Sequence, residues 1–184
     1  MFSKRILSFL FALILVFTFT GCENKEEKKG NSVDIEYYAR LGKMPECDYS
    51  LGADAQTVKD EIAKASEQEE HIVYEVVEGK NNVLINNGAF EYYYKKANES
   101  EGITYIVNRD VAYGFETGTV ILEVKEALAD YDFTEEELTE ENGFFMFSTE
   151  NGSVLKYEFK ENTVMFVFQD NSLCATALYK TKVW

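Results

Sequence analysis

Val154-Leu155-Lys156-Tyr157-Glu158-Phe159-Lys160 alternates apolar and polar side chains from Leu155 onward, the period-two pattern of a strand with one buried face. Leu155, Tyr157 and Phe159 should point one way, Lys156 and Glu158 the other. Glu161-Asn162 offers a turn, and Thr163–Phe168 and Ser172–Lys180 continue in strand composition, so the stretch predicts an antiparallel meander. Upstream, Asn151-Gly152 reads as a further turn and Gly143–Ser148 as another strand. The same signals occur earlier in the chain. Val83-Leu84-Ile85 and Ala89–Tyr94 flank Asn87-Gly88, a pair suited to the positive φ angles of a tight hairpin. His71–Glu78 reads as a strand, as does Val33–Tyr38 on looser alternation. Ile103–Val107 and Val111–Phe115 read as a pair around Asn108-Arg109-Asp110, and Met44–Asp48, with the single proline, as a loop.

Two segments carry helical spacing. Asp54 precedes Ala55, Val58, Ile62 and Ala65, which share one helical face, and its carboxylate suits an N-cap, so a helix is expected over 55–66. Val58-Lys59-Asp60 then finds a counterpart in Val124-Lys125-Glu126, and Ile62-Ala63 in Leu128-Ala129. Phe90–Lys95 falls opposite Leu155–Lys160, and Ile103–Asp110 opposite Val164–Asn171. This repeat predicts a helix that starts between Gly118 and Glu123 and runs to Ala129, against the β-branched composition of Thr119–Leu122. Thr134 and Glu137 form a capping-box pattern that predicts a short helical piece. The expected fold is α+β: an antiparallel sheet with helices packed on one face, in two tandem α-β-β-β(β) modules, 52–116 and 118–180. Over 52–180 this order resembles the tandem helix-plus-meander modules of beta-lactamase inhibitor protein and of small outer-membrane assembly lipoproteins. The resemblance implies a protein-binding domain without catalytic activity.

The N-terminus reads as an address. Lys4 and Arg5 precede the apolar run Ile6–Phe19, a pattern that can enter a translocon. Phe19-Thr20-Gly21-Cys22 then resembles the lipobox of bacterial lipoproteins, with Phe19 where that family usually has leucine. The resemblance implies a signal peptide over 1–21, a lipid on Cys22, a tether over 22–32, and a domain over 33–184 held at the extracytoplasmic face of the cell membrane. In such a compartment Cys47 and Cys174 could pair as a disulfide, or Cys174 could sit as a buried thiol in its strand.

With 33 acidic and 18 basic side chains the formal charge is −15, which excludes a general electrostatic grip on nucleic acid. The single histidine, His71, excludes metal sites built on two imidazoles. Asp130, Asp132, Thr134, Glu136 and Glu141 fall at calcium-loop spacing, but Glu135 stands where such a loop needs glycine. No phosphate loop, nucleophile elbow or dinucleotide fingerprint is present. No catalytic residue, metal or cofactor is therefore assigned. Tyrosines carry the remaining signal. Tyr92 and Tyr94 should share the core side with Phe90, leaving Tyr93 on the opposite face, where Tyr37, Tyr38, Tyr105 and Tyr113 could extend an exposed binding surface. Ordinary sheet packing would use the same residues. The expected role is a non-enzymatic module for a protein or cell-envelope partner of basic character. The alternatives are a small carboxylate-based hydrolase or carbohydrate-active domain, and, less suited to this size, a solute-capturing lipoprotein.

Overall fold

The computed structural model describes residues 33–70 and 72–181, so the expectations placed on residues 1–32, Cys22 among them, and on His71 lie outside the described residues. The chain runs through helices α1 (Ile35–Arg40) and α2 (Ala55–Gln68), then strands β1 (Glu75–Glu78), β2 (Asn82–Asn86) and β3 (Glu91–Lys95). A 3-10 segment (Lys96–Glu101) leads to β4 (Tyr105–Asn108), β5 (Val111–Ala112), β6 (Phe115–Glu116) and helix α3 (Ile121–Ala127). Strands β7 (Thr134–Glu137), β8 (Gly152–Phe159), β9 (Asn162–Gln169) and β10 (Ser172–Lys180) follow. Eight strands make one sheet in the order β1-β2-β3-β4-β10-β9-β8-β7, and β5-β6 is a separate ribbon. Every pairing is antiparallel. Two four-stranded meanders thus meet where β4 lies against β10.

Helices α1, α2 and α3 pack on one face of this sheet. Ile35 and Ala39 of α1, Val58 and Ile62 of α2, and Val124 of α3 are buried in the same cluster as Phe90, Tyr92, Tyr94, Leu155, Tyr157, Phe159 and Phe166 from the strands. The alternation in β8 is as expected, with Lys156 and Glu158 directed away from that cluster. Helix α2 begins at Asp54, whose Oδ1 accepts the Thr57 N–H at 2.8 Å and the Thr57 hydroxyl at 2.8 Å. These bonds hold the Asp54 carboxyl below the usual carboxylate range. A depressed pKa contributes stability that is complete above the ordinary aspartate value and is lost as pH falls through the folded one. The stability gap between the native chain and Asp54→Ala should therefore narrow as pH falls through the carboxylate range. Denaturant melts at pH 7 and pH 3 measure it, and a pH-independent gap would contradict the assignment.

Tyr157 places a phenol in the apolar interior, between Phe133 and Phe166, with ring centroids 5.6 and 5.8 Å away. Its hydroxyl is buried without a hydrogen-bond partner, and burial pushes its pKa up to about 12. An unpaired buried hydroxyl is destabilising, so Tyr157→Phe should raise the unfolding free energy by about 1 kcal/mol. A loss of stability in that variant would mean the hydroxyl has a partner in solution.

Several expected elements take another form. Val33–Tyr38 is not a strand, because Asp34 accepts the Tyr37 N–H at 2.9 Å and starts α1, whose i and i+4 residues Ile35 and Ala39 bury together. The two-strand reading of 103–115 also fails. Val111–Ala112 turns back on Phe115–Glu116 through Tyr113 and Gly114, both at positive φ (56° and 85°), and β4 pairs with β3 and β10 instead. Thr134–Glu137 is strand β7, not a helix start, since pairing to β8 and the Lys156–Glu136 ion pair at 2.6 Å override the local capping signal. Gly143–Ser148 belongs to a loop. Helix α3 starts within the expected window and ends at Ala127. The residue matching sets β3 against β8 and β4 against β9, whereas the strand order makes β4 the counterpart of β10, so the matched strands are not topologically equivalent.

Candidate binding site

The second face of the sheet is covered by residues 138–151, which leave β7 and fold across the strands before β8 begins. Leu138, Phe144, Phe145 and Met146 pack there against Tyr93, Tyr105, Val107, Val154, Met165, Val167, Ala177 and Tyr179. Such a long excursion between two paired neighbours forms a compact loop closed by its own side chains. Asn142 Nδ2 donates to Glu137 O at 3.0 Å, and the Thr139 N–H donates to Asn142 Oδ1 at 2.8 Å, which closes the base of the loop.

Arg109 fixes the far end. Its Nε donates to Glu91 Oε1 at 2.6 Å and its Nη2 to Glu91 Oε2 at 3.0 Å, a two-pronged pair that aligns the guanidinium. The same Nη2 donates to Phe145 O at 2.8 Å. Tyr93 Oη donates to Glu91 Oε2 at 2.7 Å. Burial and the neighbouring Glu91 carboxylate push the Tyr93 phenol far up, so it stays a donor at any physiological pH. On the other side, Gln169 Nε2 donates to Ser148 O at 2.8 Å.

Phe147 lies between these two anchors and is 100% exposed. The Arg109 guanidinium sits 5.8 Å from the centre of its ring. Glu140, Glu141 and Glu150 are exposed on the same loop. Beside the loop, Tyr105 and Tyr179 stack in parallel at 4.5 Å and line a groove of about 660 Å³ with Glu137, Glu141 and Lys156 on its rim. Burial raises the Tyr179 pKa to about 12.

The tyrosines expected to form an exposed surface do not form one. Tyr93 does face away from Tyr92 and Tyr94, but Phe144 and Phe145 cover it and Tyr105. Tyr113 is buried on the helix-bearing side, 6.3 Å from the Phe166 ring, and its hydroxyl donates to Lys43 O at 3.4 Å. Only Tyr37 is exposed, at 56%, and it sits on α1. Cys47 and Cys174 are free thiols on opposite faces of the sheet, so no disulfide joins them. Cys47 Sγ donates to Tyr49 O at 3.1 Å, and burial raises its pKa. Among the described residues no group of three or more acidic, cysteine or histidine side chains is arranged to hold a metal ion. Sequence reading missed Arg109 and Phe147. Arg109 looked like a turn residue, and the signal for Phe147 was Phe144-Phe145-Met146-Phe147, a continuous apolar run that lacks strand alternation. Comparison with protein-family models, with curated proteins and with solved structures gives no match for this chain.

Proposed function

We propose that the chain is a lipid-anchored, extracytoplasmic binding protein without catalytic activity, which takes a basic protein or envelope component at loop 138–151. On this reading residues 1–21 are removed, Cys22 carries the lipid, residues 22–32 act as the tether, and the domain that follows presents Phe147. The observation that carries the reading is Phe147 itself, a fully exposed aromatic ring whose loop is held on both sides, by Arg109 at Phe145 and by Gln169 at Ser148. A rigid aromatic anchor loses little conformational freedom on binding and suits the centre of an interface. Glu140, Glu141 and Glu150 around it favour a basic partner. The order of helix, four-stranded meander, helix and four-stranded meander further supports two tandem modules, 52–116 and 118–180, with the loop belonging to the second.

The test compares the native full chain with Phe147→Ala in membranes of the producing cell, by crosslinking and mass spectrometry. One protein or envelope polymer recovered with the native chain, and lost with Phe147→Ala at unchanged thermal stability, supports the reading. An identical recovery profile for both chains overturns it. Release of Cys22→Ser into the soluble fraction, with the native chain retained in the membrane, checks the anchor.

A further inference from the structure

The two edges of the eight-stranded sheet are built differently. At β7 three of the four residues are glutamates, a charged edge that discourages further pairing. At the other edge every residue of β1, Glu75-Val76-Val77-Glu78, is exposed, and exposed Val73 and Tyr74 precede it. The Gly79 N–H donates to Asn82 O at 2.9 Å, which sets the phase of the ladder with β2. By the alternation of antiparallel pairs, Val77–Leu84 and Glu75–Asn86 exchange hydrogen bonds, and the N–H and C=O groups of Val76 and Glu78 point outward. Val76 lies opposite Ile85, on the helix-bearing side, and Val77 opposite Leu84, on the other. The open ladder is therefore flanked by an apolar side chain on each face.

We propose that β1 is a docking edge that receives an extended segment of another, basic protein as a ninth strand. The charges select this occupant. Glu78 is matched by Lys96 at 2.8 Å, whereas among the described residues Glu75 has only the Asn86 amide, at 3.5 Å. The incoming strand is thus apolar opposite Val76 and Val77 and carries lysine or arginine opposite Glu75. A second copy meets neither condition. Paired about Val76, it sets Glu75 against Val77 and brings a second formal charge of −15. This edge is separate from the Phe147 loop, which springs from the opposite side of the sheet.

The experiment follows amide hydrogen exchange in the full chain, held in detergent micelles, with a capped synthetic peptide of repeating Lys-Val-Val units. The expected result is exchange slowed by roughly tenfold or more at the Val76 and Glu78 amides. A Glu-Val-Val peptide of equal length gives no slowing. Val76→Pro removes an outward N–H without breaking the ladder to β2, and it abolishes the effect. Where that variant fails to fold, Glu75→Lys takes its place and weakens peptide binding by about threefold. Phe147→Ala keeps the protection, so failure of the loop reading and failure of this one are told apart. Unchanged exchange with the Lys-Val-Val peptide, or equal slowing by both peptides, overturns the proposal. So does protection that arises without peptide and grows with protein concentration, which would assign the edge to a second copy.

Discussion

Phe166→Ala is expected to lower the unfolding free energy by about 3–5 kcal/mol, the largest single-residue effect in the domain. Phe166 sits on β9, between β10 and β8, and is fully buried. Its ring meets Phe115 at 5.5 Å, Tyr157 at 5.8 Å and Tyr113 at 6.3 Å, all close to edge-on, so three aromatic rings from two segments converge on it. Removing it leaves a void that the hydrogen-bonded strands on both sides cannot close by shifting. Urea denaturation of the variant and the native chain measures the difference. A cost under about 1.5 kcal/mol would mean that the site collapses and that this core is loosely packed. Tyr157→Phe, on the adjoining strand, changes stability in the opposite direction, so the two variants together separate lost packing from a relieved polar burial.

What the sequence made legible follows from how local each signal is. The strands of 152–180 and the turn before them are written in neighbouring residues: β8 alternates, and Asn151 takes the positive φ that such a residue tolerates (53°). The turn read at Glu161-Asn162 falls one residue earlier, since Asn162 already belongs to β9. The Asp54 cap is equally local. The errors lie where a distant partner decides. Thr134–Glu137 has a helix-start pattern, yet Lys156, far along the chain, pairs with Glu136 and β8 completes the ladder. Tyr93 and Tyr105 stand on the face the alternation assigns them, but whether that face is open depends on where residues 138–151 fold, and no periodicity in those residues encodes it. The candidate site was hidden for the same reason. Arg109 acts through Phe145, and a contact of that separation has no counterpart in residue spacing.

Arg109→Ala is expected to cost about 2–3 kcal/mol, below the range for a fully buried pair because the Arg109 side chain is 30% and the Glu91 side chain 16% exposed. The loss has four parts: the two-pronged bond to Glu91, the bond to Phe145 O, the contact of Nη1 with Met146 Sδ at 3.6 Å, and the cation above Phe145 and Phe147. Glu91 is left with Tyr93 Oη as a donor. Arg109→Lys should recover little, because an ammonium cannot reach both carboxylate oxygens and the Phe145 carbonyl in one plane. The effect should also be uneven across the fold. The ladders of β8, β9 and β10 do not depend on Arg109, whereas among the described residues the loop is tied to the sheet beyond its base by side chains, Arg109 and Gln169. Limited proteolysis should therefore cut between residues 138 and 151 in Arg109→Ala well before the rest of the domain yields, and not in the native chain. In a double-mutant cycle, Glu91→Gln should add little on the Arg109→Ala background, since the shared bond is already gone. If the two costs add and the loop stays resistant to cleavage, Phe147 is held by the apolar contacts of Phe144 and Phe145 alone. Loss of partner recovery in Arg109→Ala, with Phe147 still in place, would instead show that the ring must be presented in a fixed position to be bound.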